Sequence, residues 1–155
     1  MENPWEQSSA VQQAERIVRS YKKVTGRDLL AAELRGHELA RELFHAPFVV
    51  VSHGIEPDPV LNYGNSAALR LWEMSWAELT STPSRFTAEA PNREERARLL
   101  EQVTRRGFIE DYSGVRISKT GNRFRIDRAV VWNLEDEEGR RCGQAAAFSA
   151  WLPLA

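Results

Sequence analysis

Cysteine is almost missing: Cys142 is the only one in 155 residues, which excludes an internal disulfide or a thiolate metal cluster within one chain and fits a reducing compartment, the cytoplasm. Long apolar runs are also missing. The longest, Val49-Val50-Val51 and Ala145-Ala146-Ala147-Phe148, fall far short of the roughly 18 residues a membrane span needs, so no membrane is expected as a partner. The opening Met1-Glu2-Asn3-Pro4-Trp5-Glu6 has acids where an export signal is basic, and no apolar stretch follows. Net charge is close to nil, since 21 Lys plus Arg oppose 22 Asp plus Glu to leave −1. No overall field steers the chain onto phosphates, and no nucleic acid is expected as a partner. What remains is an ordinary soluble globule, 42% hydrophobic and 28% charged, of a length that suits one domain with a real core.

Val11, Ala14, Val18 and Tyr21, with Ile17 and Val24 beside them, recur at helical spacing and predict an amphipathic helix that Gly26 ends. Asp28 is placed to cap a second helical stretch through Leu30, Leu34, Leu39, Leu43 and Phe44, with Gly36 as an interruption. This leader, residues 1–46, is too short to fold alone, so its apolar stripe needs the domain body or a second chain. The β-branched run Pro47 to Ser52 reads as a first strand and Val60 to Tyr63 as a second, followed by two small helices capped by Asn65 and by the Ser75/Glu78 box. Asn92 and Glu95 suggest the start of a charged helix ending at Gly107. A meander of three strands closes the chain: Phe108 to Lys119, Arg123 to Leu134 and Arg141 to Trp151. In its middle strand, alternation puts Phe124, Ile126, Val130, Trp132 and Leu134 on one face with Arg128 among them. The fold class is therefore α+β, five antiparallel strands with short helices on one face.

The strings Pro47-Phe48-Val49-Val50-Val51-Ser52-His53-Gly54, Asn62-Tyr63-Gly64-Asn65-Ser66-Ala67-Ala68-Leu69 and Tyr112-Ser113-Gly114-Val115-Arg116-Ile117-Ser118 resemble the MEKHLA domain family. Arg123-Phe124-Arg125-Ile126, Val131-Trp132-Asn133-Leu134 and Gly143-Gln144-Ala145-Ala146 extend the likeness over nearly the whole chain. The resemblance implies a PAS-like domain over residues 47–152, of the standalone bacterial type; the plant members carry it behind a homeodomain and leucine zipper. It implies a sensory or regulatory module and brings no settled ligand or cofactor.

Ten residues are candidates for a small-molecule pocket: Asn62, Tyr63, Trp72, Arg85, Tyr112, Arg116, Trp132, Ala145, Ala147 and Ser149. Gly143, Ala145, Ala147 and Ser149 fall on one face of the last strand, where small side chains leave room for a ligand or for a closely packed helix. Tyr112 and Arg116 share a face of the preceding meander, and Arg116 either takes an anionic group through its guanidinium fork or faces an internal partner or solvent. Asn62 and Tyr63 stand at a mouth or simply pack, Arg85 lies in the adjoining loop, and Trp72 and Trp132 either stack on a flat ligand or fill the core.

A flavin photosensor of this fold needs a cysteine in the helical middle, and Cys142 lies in the last strand. Haem is disfavoured because His37, His45 and His53 all precede that middle, and their spacing of eight does not suit a helical metal site. Ser52, His53 and Asp58 lack a nucleophile elbow. The leading reading is a non-enzymatic PAS-like sensory, ligand-binding or protein-interaction module that acts through a partner and pairs as a homodimer through Ser9 to Val24. The alternative is a small-molecule enzyme on a cone-shaped α+β fold, which needs His53 and Asp111 in one polar cavity.

Overall fold

The computed structural model describes residues 3–154, with the side chains of Ala90, Pro91 and Asn92 outside that description. After a single 3-10 turn at Pro4–Glu6, helix α1 spans Ser8–Thr25. Its buried residues Ala10, Ala14, Ile17 and Tyr21 follow the i+4, i+3 spacing that the sequence displays, and Gly26 ends it at φ 74°. Helix α2 spans Gly36–Phe44, later than the Asp28 start that the sequence suggests. Gly36 sits at φ 55°, which no helix can run through, and Asp28 is instead paired with Lys22 at 3.3 Å. Leu30 and Leu34 still pack on the core from the connecting loop.

Strands β1 (Val49–His53) and β2 (Leu61–Gly64) pair antiparallel. Helix α3 (Ser66–Trp72) begins at Asn65, and α4 (Trp76–Leu79) begins at Ser75 with both halves of its capping box formed. A 3-10 turn at Ser84–Thr87 leads to α5, Ala90–Arg106. This helix starts earlier than the Asn92 box predicts, because a proline occupies its first turn, where no amide is needed; the Asn92 side chain lies outside the described residues.

Strands β3 (Phe108–Ile117), β4 (Arg123–Glu135), β5 (Arg141–Phe148) and β6 (Ala150–Pro153) complete one antiparallel sheet in the order β2-β1-β5-β4-β3, with β6 on β4. The strand expected over Arg141 to Trp151 is thus two, and the sheet has six strands in place of five. The cause lies in β4, where Arg128 adopts φ 51°. Beyond it Val130 pairs with Ala147, and before it Asp127 pairs with Ala150, so the neighbouring strand breaks at Ser149 to follow the bend.

The same kink overturns the single-face alternation expected along β4. Phe124 and Ile126 pack with Trp72 and Phe148 on the side of the short helices, while Val130, Trp132 and Leu134 pack with Ile17 and Tyr21 beneath α1. Arg128, left at the bulge, points outward with 72% of its side chain exposed and Asp127 at 3.8 Å. The sheet is therefore covered on both sides, by α1 and α2 on one and by α3, α5 and the loops on the other.

Candidate functional site

The two covers of the sheet are not equally complete. Beneath α1, Ala145 and Ala147 leave the space that Ile17 and Tyr21 enter, so the small-residue face of β5 holds a helix and no cavity. The Trp132 ring meets Tyr21 edge-on at 4.9 Å and its indole N–H donates to the Ile17 carbonyl at 3.3 Å. Ser20 Oγ accepts from the Glu135 amide at 3.0 Å. With Ala14, Ile17 and Tyr21 buried against its own sheet, the stripe on which the expected homodimer rested is already covered.

On the opposite side, between the sheet and α3, α5 and the Ser84–Thr87 turn, a partly enclosed cavity of about 60 Å³ remains. Trp72, Ile126, Phe148, Leu99 and Leu100 give it apolar walls, and His53, Arg96, Tyr112, Arg116 and Gln144 bring polar groups to it. Alternation turns Gln144, Ala146 and Phe148 of β5 toward the cavity and Ala145 and Ala147 toward α1, with Ala145 also bordering the cavity.

Each polar group is held in a fixed state. Arg116, a residue only 7% exposed, donates from Nη1 to the Val115 carbonyl at 2.9 Å and from Nη2 to the Tyr112 hydroxyl at 3.3 Å. Gly114 lies between these two side chains, where a methyl group would collide with the Tyr112 hydroxyl. Arg96, on α5, donates to Ser84 Oγ at 2.7 Å. Burial first, then the neighbouring Arg116 charge, brings Arg96 down to about 10, so it keeps its proton at neutral pH. Neither arginine has a carboxylate within ion-pair distance among the described residues; the nearby Asp58 is taken by Arg85 at 3.1 Å.

His53 Nδ1 lies 2.9 Å from the Gly54 carbonyl. A carbonyl only accepts, so Nδ1 carries the proton, and burial, reinforced by the Arg96 and Arg141 charges, lowers the ring to about 4. The imidazole is thus neutral, with a bare lone pair on Nε2. Gln144 Nε2 donates to the Leu100 carbonyl at 3.0 Å, which fixes the amide and leaves Oε1 free. Four buried side-chain polar atoms among the described residues lack a protein partner: His53 Nε2, Trp72 Nε1, Gln144 Oε1 and Tyr63 Oη. Three of them belong to residues that line the cavity. Buried polar groups in native proteins are nearly always satisfied, so a cluster of exceptions marks where something else belongs.

A family model for the MEKHLA domain matches residues 11–153. The chain belongs to the MEKHLA domain family. A homeobox-leucine zipper protein of Arabidopsis thaliana, ATHB-15, is 25% identical over 128 residues, 81% of this chain and 15% of that protein. The chain therefore spans about 15% of the length of this relative. Among solved structures, the PAS domain of a protein from Colwellia psychrerythraea superposes with a TM-score of 0.61 at 13% identity, over 70% of this chain and 89% of that one. A light-oxygen-voltage domain studied with a flavin analogue gives 0.58 at 18% identity, over 76% of this chain and 84% of that one. An RNA-binding light-oxygen-voltage receptor gives 0.61 at 20%, over 74% of this chain and 32% of that one. The fold of this MEKHLA domain is thus that of PAS and light-oxygen-voltage domains, and its family match includes most of α1.

The residues present do not fit the flavin of light-oxygen-voltage domains. A space of about 60 Å³ corresponds to roughly four to six water positions at about 10–15 Å³ each, far less than a three-ring isoalloxazine. Cys142 packs with the α1 cluster and does not line the cavity. Of the ten sequence candidates, the structure brings Trp72, Tyr112, Arg116 and Ala145 together at the cavity. Ala147 and Trp132 lie under α1, Tyr63 packs edge-on against Trp76 at 5.5 Å, and Asn62 accepts from Ser52 Oγ and Gln13. Arg85 grips Asp58 at the surface, and Ser149 is exposed at the break between β5 and β6. Asn65 spends its side chain on Val50, Ala68, Leu43 and Phe48, a purely structural set of bonds.

Sequence reasoning missed Arg96, Thr87 and Gln144 as cavity residues and weighed His53 only for haem, metal and enzyme roles. Gln144 had a signal, a lone amide within Gly143 to Phe148; Arg96 had none to separate it from Arg93 and Arg98. Asp111 is exposed on β3 and does not line the cavity, so the His53–Asp111 pair that the enzyme alternative needs is not assembled. Ser52, His53 and Asp58 form no triad either: Ser52 Oγ donates to Asn62 and Asp58 pairs with Arg85. No helix among the described residues is long and apolar enough to cross a membrane, and none of their His, Cys, Asp and Glu residues group for a metal.

Proposed function

We propose that this MEKHLA domain is a non-enzymatic, cytoplasmic sensory module that takes a small molecule into the cavity between β-sheet and α5 and passes its occupancy to a protein partner. The observation that carries this reading is that three residues lining one cavity, His53, Trp72 and Gln144, each hold a buried side-chain polar atom without a protein partner. An apolar enclosure with a few convergent polar groups is the usual form of a small-molecule site. The near-balanced charge, −1 overall, supports a small molecule and a protein as partners over nucleic acid. The absence of an acid–base pair at His53 supports binding without turnover.

Native mass spectrometry of the purified chain tests it, with Ala146→Leu as the companion because that side chain enters the cavity. The expected result is a bound mass on the natural sequence that the variant loses while keeping its circular-dichroism spectrum. Each chain appearing only at its own bare sequence mass, with no bound mass on the natural chain, overturns the reading.

A further inference from the structure

The polar groups around the cavity also state what kind of molecule it takes. Resting on the small-molecule reading above, we infer that the ligand is a small hydroxycarboxylic acid: its carboxylate lies on Arg96 and Arg116, and its hydroxyl donates to His53 Nε2 or Gln144 Oε1.

The charge half of this inference comes from two guanidiniums brought to one half-enclosed apolar space without a carboxylate. Bringing like charges together in a partly buried site is costly, and a bound anion reverses the sign of that cost. Both arginines keep N–H groups beyond the bonds they already make to Val115, Tyr112 and Ser84, and a carboxylate matches the planar fork they present. The hydroxyl half comes from the two acceptors. At the open atoms, a neutral His53 with its proton on Nδ1 and a Gln144 whose two amide hydrogens are shared among Leu100, Thr104 and Asn133 can only accept. An anion alone has no hydrogen to give them. Trp72, which also lines the cavity, holds an unpartnered donor at Nε1, so a hydroxyl, which gives one hydrogen and accepts another, matches both kinds of orphan on the lining residues. The volume, about 60 Å³, limits the molecule to a handful of non-hydrogen atoms, with its carbon chain against Ile126 and Phe148.

Isothermal titration of the full chain separates the elements of the claim. The probes are lactate and 3-hydroxybutyrate, butyrate without the hydroxyl, and 3-hydroxybutyramide without the charge. One hydroxy acid is expected to bind tightest, with butyrate and the amide each roughly tenfold weaker, since each loses a hydrogen bond to a buried partner. Arg116→Gln and Arg96→Gln are each expected to weaken the acid by roughly tenfold or more, and the amide far less. Arg96 lies on the more exposed α5, so its variant remains informative if Arg116→Gln misfolds, and Arg96→Lys is expected to restore only part of the loss. An amide that binds as tightly as the acid overturns the carboxylate assignment while leaving the cavity reading intact. Butyrate equal to 3-hydroxybutyrate overturns the hydroxyl assignment. Failure of every acid, together with a neutral compound recovered on the native chain, overturns this inference alone; failure of every acid with a bare native mass overturns both.

Discussion

The two faces of the sheet are built from the same strands to opposite ends. Under α1, the Trp132 indole reaches Ile17 and the Glu135 amide reaches Ser20, and among the described residues the Tyr63 hydroxyl is the one buried side-chain polar atom of that cluster without a protein partner. Under α5, three residues that hold such atoms and two arginines without a carboxylate in ion-pair reach among the described residues line a cavity. A face that answers its own polar groups contributes stability; a face that leaves them open gives up stability for recognition. The difference predicts that substitutions under α1 act on folding and substitutions under α5 act on binding and on pH response.

The largest effect should come from the α1 face. Ile17 is fully buried in a cluster that also holds Trp132, Ala145, Val50 and Leu134. Ile17→Ala removes three carbons where neighbours cannot close the gap, and about 2–5 kcal/mol of unfolding free energy should be lost. Urea unfolding followed by tryptophan fluorescence measures it. A loss below about 1 kcal/mol would mean that α1 is a removable cover, and the contrast between the faces would fail.

Most of this architecture is legible in the sequence, because it depends on local periodicity. The stripe Ala14, Ile17, Tyr21, the Asn65 cap and the Ser75 box all follow from spacing within one element. Illegible is the kink at Arg128, since a positive φ at a non-glycine residue is set by tertiary context. That one bulge reverses the facing of β4, and with it the placement of Trp132, so the cavity is looked for on the small-residue face when it lies on the other. Arg96 and Gln144 are hidden for a related reason: what distinguishes them is which strand and helix meet, which no single segment encodes.

The second effect tests the open face through pH. His53 titrates near 6.5 when exposed and near 4 when folded, chiefly because burial disfavours its charged form. The unfolded chain therefore binds a proton that the folded chain refuses as pH falls below about 6.5, and stability is lost progressively until the folded ring itself protonates near 4. About 2 kcal/mol of this loss should have accrued by about pH 5. Denaturation curves of the natural chain and His53→Gln, compared between neutral pH and that value, should differ by this amount, with the variant less sensitive. Parallel pH profiles would show that the ring is not held neutral, and the open acceptor at Nε2 would be lost with it.

The smallest effect compares the faces directly. Trp132 and Trp72 are both buried, yet only the first has a partner for its N–H. Replacing either by phenylalanine removes a similar volume, so the packing losses nearly cancel in the difference, whereas Trp132→Phe also gives up its bond to the Ile17 carbonyl. Trp132→Phe should therefore cost about 1 kcal/mol more than Trp72→Phe. Equal losses in thermal or urea unfolding would show that Trp72 Nε1 is satisfied after all, by water held in the cavity, and would reduce the asymmetry of the faces to His53 and Gln144. A saturating hydroxy acid should then sharpen the result in the opposite sense: it raises the stability of the Trp132→Phe chain as much as that of the natural one, and that of the Trp72→Phe chain less, because only the second substitution removes a group the ligand touches.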